Sequence, residues 1–261
     1  MKKCLLLISG VSRTFDKTAG NLFQNIIEPN MKNIQFEIHI CDDLNVISTK
    51  KWNTTNILKK NKELHTKKLM NVYNKYNQVK NIHFWSWDGG KVSKNAPDGL
   101  GVNIKRWNVA LKTIKFELYD YFIFIRPDVI IDKKINLPNY KKEFSIISGN
   151  FTRSCQWHNR DWDYIWVGDN NAFLYWLIPY LYEERFQDLS IVYKDILEKF
   201  KKIEKLNNNE ITKIKHIVNL KGHNNHSTVE YYCRIIKFMK LNGYDFSLSE
   251  TKGIYSTIIR N

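Results

Sequence analysis

The stretch YDYFIFIRPDVII, residues 119–131, decides the fold, because five apolar residues run from Tyr121 to Ile125 directly before a polar turn. A continuous apolar run of this length predicts a strand that is covered on both faces. Pro127 lacks the N–H that a strand ladder needs, so the strand should end just before Asp128. A carboxylate at the end of a buried strand is costly unless it is paired, hydrogen-bonded or bound to metal. Asp128 is therefore a candidate functional residue.

Further segments around this strand predict the rest of the sheet and its helices. Four more strands are predicted at Cys4–Ser9, Gln35–Cys41, Asn81–Trp85 and Phe144–Ser148. Helical patterns lie at about 18–27, 63–76, 104–118, 170–184, 189–205 and 228–242. Strands that alternate with helices predict a mostly parallel sheet with right-handed crossovers.

These patterns predict an α/β protein with a single domain over residues 1–261. A mostly parallel central sheet should be flanked by helices, and the C-terminal third should be helical. Residues 206–212 are rich in Asn and are predicted to form a flexible connection.

The net charge of +15, from 41 Lys and Arg against 26 Asp and Glu, raises the possibility of a nucleic-acid or polyanion-binding protein. Only eight of these cations are arginines, and the lysines are spread along the chain among many asparagines. That distribution favours solvated surface over a dedicated nucleic-acid site. The positive charge is also compatible with anionic ligands such as nucleoside diphosphates, or with peripheral contact with an anionic membrane surface.

The four cysteines are far apart and show no zinc-ligand spacing, which favours a reduced, intracellular setting. The apolar run Cys4–Ile8 is shorter than the core of a signal peptide, and no window is apolar enough for a membrane span. We therefore expect a cytoplasmic protein, in the host cytoplasm if it is viral, with neither a signal peptide nor a transmembrane segment.

Polar residues that follow the predicted strands are the candidate ligand contacts, since open α/β sheets bind ligands at the carboxyl ends of their strands. The first strand is followed by Ser9-Gly10 and Arg13, although the phosphate-loop and dinucleotide glycine patterns are both missing. At the end of the 119–131 strand, Arg126 and Asp128 allow two interpretations. In the first interpretation, the two residues form a structural ion pair. In the second, Asp128 holds a divalent cation while Arg126 faces phosphate.

The segment from Trp157 to Phe173 combines three Asp, one His and three Trp. Its Gly168-Asp169 pair stands where a helix is predicted to begin. Asp169 is therefore either the N-cap of that helix or a carboxylate placed as a general base. The tryptophans belong to the core or offer a platform on which a sugar ring could stack.

Several segments in order along the chain resemble the nucleotide-sugar-dependent glycosyltransferases of the GT-A (Rossmann-like) fold. They are SGVSRTF (9–15), CDD (41–43), Arg106-Trp107, the 119–131 stretch, VGDNNAF (167–173) and HSTVEYYCRIIKFMKLNGYDF (226–246). The similarity is strongest to small enzymes that carry the sequence R-P-D at the end of a strand. Such enzymes are encoded by large DNA viruses and by bacterial gene clusters for surface polysaccharides.

This resemblance implies a nucleotide-sugar-binding half, residues 1–135, and an acceptor and catalytic half, residues 136–261. Asp128 takes the place of the second carboxylate of the family's D-x-D motif, and Arg126 replaces the first. Asp128 would then hold Mn²⁺ or Mg²⁺, and the replacement leaves metal dependence open.

The resemblance also assigns roles to other residues. Ser9, Gly10 and Arg13 would contact the nucleotide, Asp42 or Asp43 would lie near the base or ribose, and Arg106 with Arg126 would neutralise the diphosphate. Asp169 matches the catalytic base of inverting members. The implied donor is a UDP-sugar first and a GDP-sugar second, the acceptor is a glycan or another hydroxyl, and no nucleic-acid partner is expected.

Overall fold

The structure is a computed structural model that describes residues 1–10, 14–43, 45–47, 57–59, 61–75, 79–85, 114–147, 165–181, 194–203, 206–217, 226–248 and 256–258. The strands are β1 Lys2–Gly10, β2 Ile34–Asp43, β3 Asn45–Ile47, β4 Ile57–Lys59, β5 Val79–Trp85, β6 Tyr121–Ile125, β7 Val129–Ile131, β8 Glu143–Ile147, β9 Ile165–Asp169, β10 Asp245–Leu248 and β11 Ser256–Ile258. The helices are α1 Phe15–Leu22, α2 Lys62–Tyr73, α3 Asn170–Leu181, α4 Lys194–Lys201, α5 Asn208–Ile217 and α6 His226–Leu241. A π-helical turn at Phe23–Ile27 extends α1, and 3₁₀ turns lie at Phe116–Leu118 and Leu137–Tyr140.

A seven-stranded sheet organises the fold, in the order β10-β8-β9-β6-β1-β2-β5. β1 pairs in parallel with β2 on one side and with β6 on the other, β2 pairs in parallel with β5, and β8 with β10. β9 is antiparallel to both β6 and β8. The predicted α/β class with a mostly parallel sheet is confirmed.

The side chains of the central strands alternate between two hydrophobic cores, one on each face of the sheet. On β1, Leu5 and Leu7 face the core that includes the buried residues of α3 and α6. Leu6 and Ile8 face the core that includes the buried residues of α1 and α2. The continuous apolar runs are thus explained by burial on both faces.

Three asparagines of α1 and the turn after it hold the chain that follows β7. Asn21 and Asn25 both donate to the carbonyl of Ile131, at 2.9 Å each, and Asn21 also accepts from the Ile131 N–H. Asn30 donates to the carbonyl of Ile135 at 2.7 Å. These bonds pair backbone groups that a short strand leaves without a partner, and so they fix the segment after Asp128.

The structure adds one strand that was not predicted and corrects one local prediction. Residues 165–169 form the strand β9, so Asp169 ends a strand, and α3 begins at Asn170 as predicted. The connection predicted at 206–212 contains the start of α5, where Asn207 and Glu210 form a reciprocal capping box with hydrogen bonds of 3.0 and 3.1 Å. Most of the helix predicted at 104–118 lies outside the described residues, and its last residues, Phe116–Leu118, form a 3₁₀ turn.

The end of α6 agrees with its prediction, since Gly243 follows the helix with a φ of +77°. A positive φ at this position is the usual glycine C-cap. Within the described parts of the chain, no helix combines the length and the apolar character needed to cross a membrane.

Candidate functional site

Three parallel strands bring the predicted site residues to one edge of the sheet. Gly10 at the end of β1 lies beside Asp42 at the end of β2, and Ile8 lies beside Ile125 at the end of β6. The chain continues from β1 to β2 on one side, whereas β6 is added on the other side. Such a change of direction in strand order is where open α/β sheets form a ligand crevice. We call this edge the carboxyl edge.

Gly10 and Pro127 are in close contact at the carboxyl edge. Gly10 has a φ of +148°, and a Cβ at this position would lie 2.8 Å from the Cδ of Pro127. The Thr18 hydroxyl of α1 donates to the Pro127 carbonyl at 2.5 Å, so α1 is anchored to the same turn. Only glycine provides both the backbone conformation and the space that this contact requires.

Arg126 and Asp128, on either side of Pro127, form a bidentate ion pair. The Arg126 Nε donates to Oδ1 of Asp128 at 3.0 Å, and its Nη2 donates to Oδ2 at 2.8 Å. The two side chains keep 27% and 18% of their surface exposed. The structure thus contains the ion pair that was one of the two interpretations of the sequence. The pair remains partly accessible to solvent.

Asp42 is fully buried and forms a short hydrogen bond with Nε2 of His65. His65 belongs to α2, and the ring of Phe15 packs edge-on against it. The Asp42 carboxylate therefore faces α2, away from solvent, and is not arranged as a contact for ribose. Sequence reasoning missed His65, although its spacing to the buried Leu69 and Tyr73 places all three residues on one helix face.

Tyr73 lies in acidic surroundings beside this pair. Its burial raises the pKa of the phenol well above the ordinary value, and the carboxylates of Asp42, Asp128 and Asp16 raise it further. The phenol therefore stays protonated over the physiological range.

Ser9 is fully buried at the same edge, and its hydroxyl has no hydrogen-bond partner among the described residues. The alternation along β1 places Ser9 on the sheet face of Leu7. Asp43 is the last residue of β2. Arg13 and Arg106, the other predicted anion contacts, lie outside the described residues, as does the segment 151–164.

Asp169 lies at the opposite edge of the sheet. Because β9 is antiparallel to β6, Asp169 pairs with Tyr121 at the beginning of β6, while Ile165 pairs with Ile125 at its end. Four residues of strand, about 13 Å at ~3.3 Å per residue, separate the two ends. The direction of β9 therefore places Asp169, which the sequence offered as a candidate base, at the other end of β6 from Asp128.

The carboxylate of Asp169 caps α3 instead. Its Oδ1 accepts from the Asn171 N–H at 2.9 Å, and its Oδ2 accepts from the Lys142 N–H at 3.4 Å. The bond from Asn171 is that of a helix cap, which is the first of the two interpretations offered by the sequence.

A divalent cation at Asp128 does not fit the arrangement of side chains. Both oxygens of Asp128 already accept hydrogen bonds from a guanidinium, and Asp42 is engaged by His65. The described parts of the chain hold no group of three or more His, Cys, Asp or Glu side chains that could bind a metal ion. The carboxylate that was expected to bind the metal is thus neutralised by its own neighbour.

Comparison with known proteins gives distant structural similarities. No family model and no curated protein matches the chain. A crystal structure of S. aureus TarS matches 59% of this chain and 22% of its own, at 15% identity and a TM-score of 0.31, and residues 1–349 of TarS match at 15% identity and 0.31. The apo structure of the bifunctional glycosyltransferase WbbM matches 66% of this chain at 12% identity and 0.32. This chain spans 22–37% of the length of these proteins.

Proposed function

We propose that the protein is a glycosyltransferase that takes its sugar from a nucleoside-diphosphate sugar, with a UDP-sugar as the first choice and a GDP-sugar as the second. The observation that supports this most is the Arg126–Asp128 pair, which stands beside Gly10 where the strand order changes direction. A crevice at such a point suits a nucleotide, and a partly exposed guanidinium there suits its phosphates.

The proposed reaction breaks the bond between the anomeric carbon of the sugar and the diphosphate oxygen. The bonding electrons leave with the nucleoside diphosphate, whose negative charge increases as the bond breaks. A cation about 4 Å away stabilises one unit of that charge by about 4 kcal/mol at an effective dielectric constant of ~20. Arg126 is the described residue that we assign to this role, because it is held in place before the substrate arrives.

The acceptor in this proposal is a hydroxyl group, on a glycan or another molecule, that attacks the anomeric carbon and loses its proton to a base. Asp169 is not assigned as that base, because it caps α3 at the opposite edge of the sheet. The inverting stereochemistry that was expected from Asp169 has no other support among the described residues and is left out of the proposal.

Titration calorimetry with UDP and GDP tests the proposal, with a single-stranded oligonucleotide of equal total charge as the comparison. We expect one nucleoside diphosphate to bind at a single site, more tightly than its monophosphate, because the second phosphate adds charge for the cation to neutralise. Preferential binding of the oligonucleotide, with a steep dependence on salt, would favour a polyanion-binding protein. A screen of UDP- and GDP-sugars for release of the nucleoside diphosphate then identifies the donor.

A further inference from the structure

We infer that the diphosphate site contains its own cation, the Arg126 guanidinium held by Asp128, and binds nucleoside diphosphates without a divalent metal ion. This inference rests on the proposed function. It goes further by assigning Arg126 as the binding residue and Asp128 as a positioning residue in place of a metal ligand.

The Asp128 carboxylate is already paired with a cation. Its two oxygens accept hydrogen bonds of 3.0 and 2.8 Å from one guanidinium, so the charge that would attract a cation is already balanced. A divalent ion at the same oxygens would have to displace the guanidinium or stand beside it. Two cations that share one carboxylate repel each other, and Mg²⁺ in particular requires a nearly ideal octahedral set of ligands.

The neighbouring carboxylates give such an ion little help. Asp42 is fully buried and directed to His65. Asp16 lies on the exposed first turn of α1. No set of three or more metal-binding side chains occurs in the described ranges.

The geometry of the turn supports a fixed guanidinium in place of the metal. The Val129 N–H donates to the Arg126 carbonyl at 3.4 Å, which closes a β-turn with Pro127 and Asp128 at its centre. The Pro127 ring lies against Gly10, and its carbonyl accepts from Thr18, so the turn is held from both β1 and α1. Arg126 and Asp128 are thus attached to a rigid segment.

A guanidinium in this position can bind phosphate while it remains paired. The Arg126 side chain keeps 27% of its surface exposed beside the pair with Asp128. The planar fork of a guanidinium matches two oxygens of a phosphate, and it stays charged at every physiological pH. Asp128 would therefore orient the Arg126 guanidinium for an anion that reaches this exposed surface.

Calorimetry with UDP and GDP, each in EDTA and in Mn²⁺, tests the inference on the full chain. We expect the dissociation constant of the preferred nucleotide to agree within about threefold between the two conditions. Binding that appears only with Mn²⁺, or that becomes more than tenfold tighter, would overturn the inference and leave the proposed function intact. If neither nucleotide binds under either condition, the proposed function fails as well.

Variants of the two paired residues separate a cation site from a metal site. Arg126→Gln should weaken nucleotide binding at least tenfold. Asp128→Asn loosens the hold on Arg126 and should weaken binding less, by about threefold to tenfold, with the same affinity in EDTA and in Mn²⁺. The opposite pattern, with binding lost in Asp128→Asn and kept in Arg126→Gln, is that of a metal ligand. Lys134→Gln removes an equal charge from an exposed position and serves as the matched control.

The folding of these variants is checked by thermal melting, because Arg126→Gln leaves a carboxylate without its guanidinium. The double variant Arg126→Gln/Asp128→Asn removes both charges and avoids that cost. If the double variant is folded and binds the nucleotide as tightly as the unmodified protein, Arg126 is not the binding cation and the inference is wrong.

Discussion

Asp169 lies directly opposite Tyr121, at the point where β6 begins, and its carboxylate caps the first turn of α3. A carboxylate at this end of the sheet is separated from the Arg126–Asp128 pair by the whole length of β6. The observed role of the Asp169 carboxylate is therefore to stabilise a helix.

We predict that Asp169→Asn has nearly unchanged turnover, because an amide oxygen can still accept from the Asn171 N–H. Asp169→Ala should lower the free energy of unfolding by about 0.5–2 kcal/mol, as the loss of a cap usually does. Urea denaturation and an assay of sugar transfer measure the two effects. A fall in turnover of about 10²-fold or more in a stable Asp169→Asn protein would restore Asp169 as the base.

Gly10→Ala should both destabilise the protein and weaken nucleotide binding. The new methyl group would overlap Pro127, and the φ of +148° is unfavourable for alanine. The expected loss is about 1–3 kcal/mol in the free energy of unfolding, together with a shift of the turn that carries Arg126.

Gly20→Ala is the matched control for this substitution. Gly20 lies within α1, and a Cβ there would meet no atom within 4 Å. Alanine should stabilise the helix by up to about 1 kcal/mol. Equal stabilities for Gly10→Ala and Gly20→Ala would show that the contact between Gly10 and Pro127 is not needed.

The Asp42–His65 pair should be important for stability and unimportant for nucleotide contact. Asp42→Ala leaves the buried His65 ring without this carboxylate, which should cost about 3–5 kcal/mol. A double-mutant cycle with His65→Ala should give a coupling energy of about 0.5–3 kcal/mol.

Binding data complete the test of this pair. In Asp42→Asn, which keeps an acceptor of similar shape, nucleotide affinity should stay within about threefold of that of the unmodified protein. A large loss of affinity in a folded Asp42→Asn protein would instead make Asp42 a contact of the nucleotide.

The contribution of Glu210 to the stability of the fold should depend on pH. The ammonium of Lys237, 2.8 Å away, lowers the pKa of this carboxyl, and the Asn207 N–H lowers it further. A carboxyl whose folded pKa is lowered stabilises the protein above its unfolded pKa and loses that effect as the pH falls through the folded value. Glu210→Gln should therefore lower the melting temperature at pH 7 and have less effect near pH 3. An equal change at both pH values would mean that the ion pair contributes nothing.

Local sequence was sufficient for β1, β2 and β6 and for the end of α6. The apolar runs of β1 and β6 are continuous because both faces of the sheet are covered, whereas β2 alternates apolar and polar residues. Gly243 follows α6 because a positive φ is required there. The same local signals missed the strand at 165–169, which directly precedes the correctly predicted start of α3, and they failed at 206–212. An Asn-rich stretch resembles a loop even when Asn207 begins a capping box.

The sequence by itself determined which residues stand at the ends of the strands: Gly10, Asp42 and the Arg126–Asp128 turn. Only the tertiary structure decided which of them act together. Asp42 finds its partner His65 on a helix that packs from another part of the chain, and β9 runs antiparallel to β6. The direction of a strand depends on the neighbours with which it pairs, and those pairs join residues far apart in the sequence. For that reason Asp128 lies at the carboxyl edge and Asp169 at the opposite one.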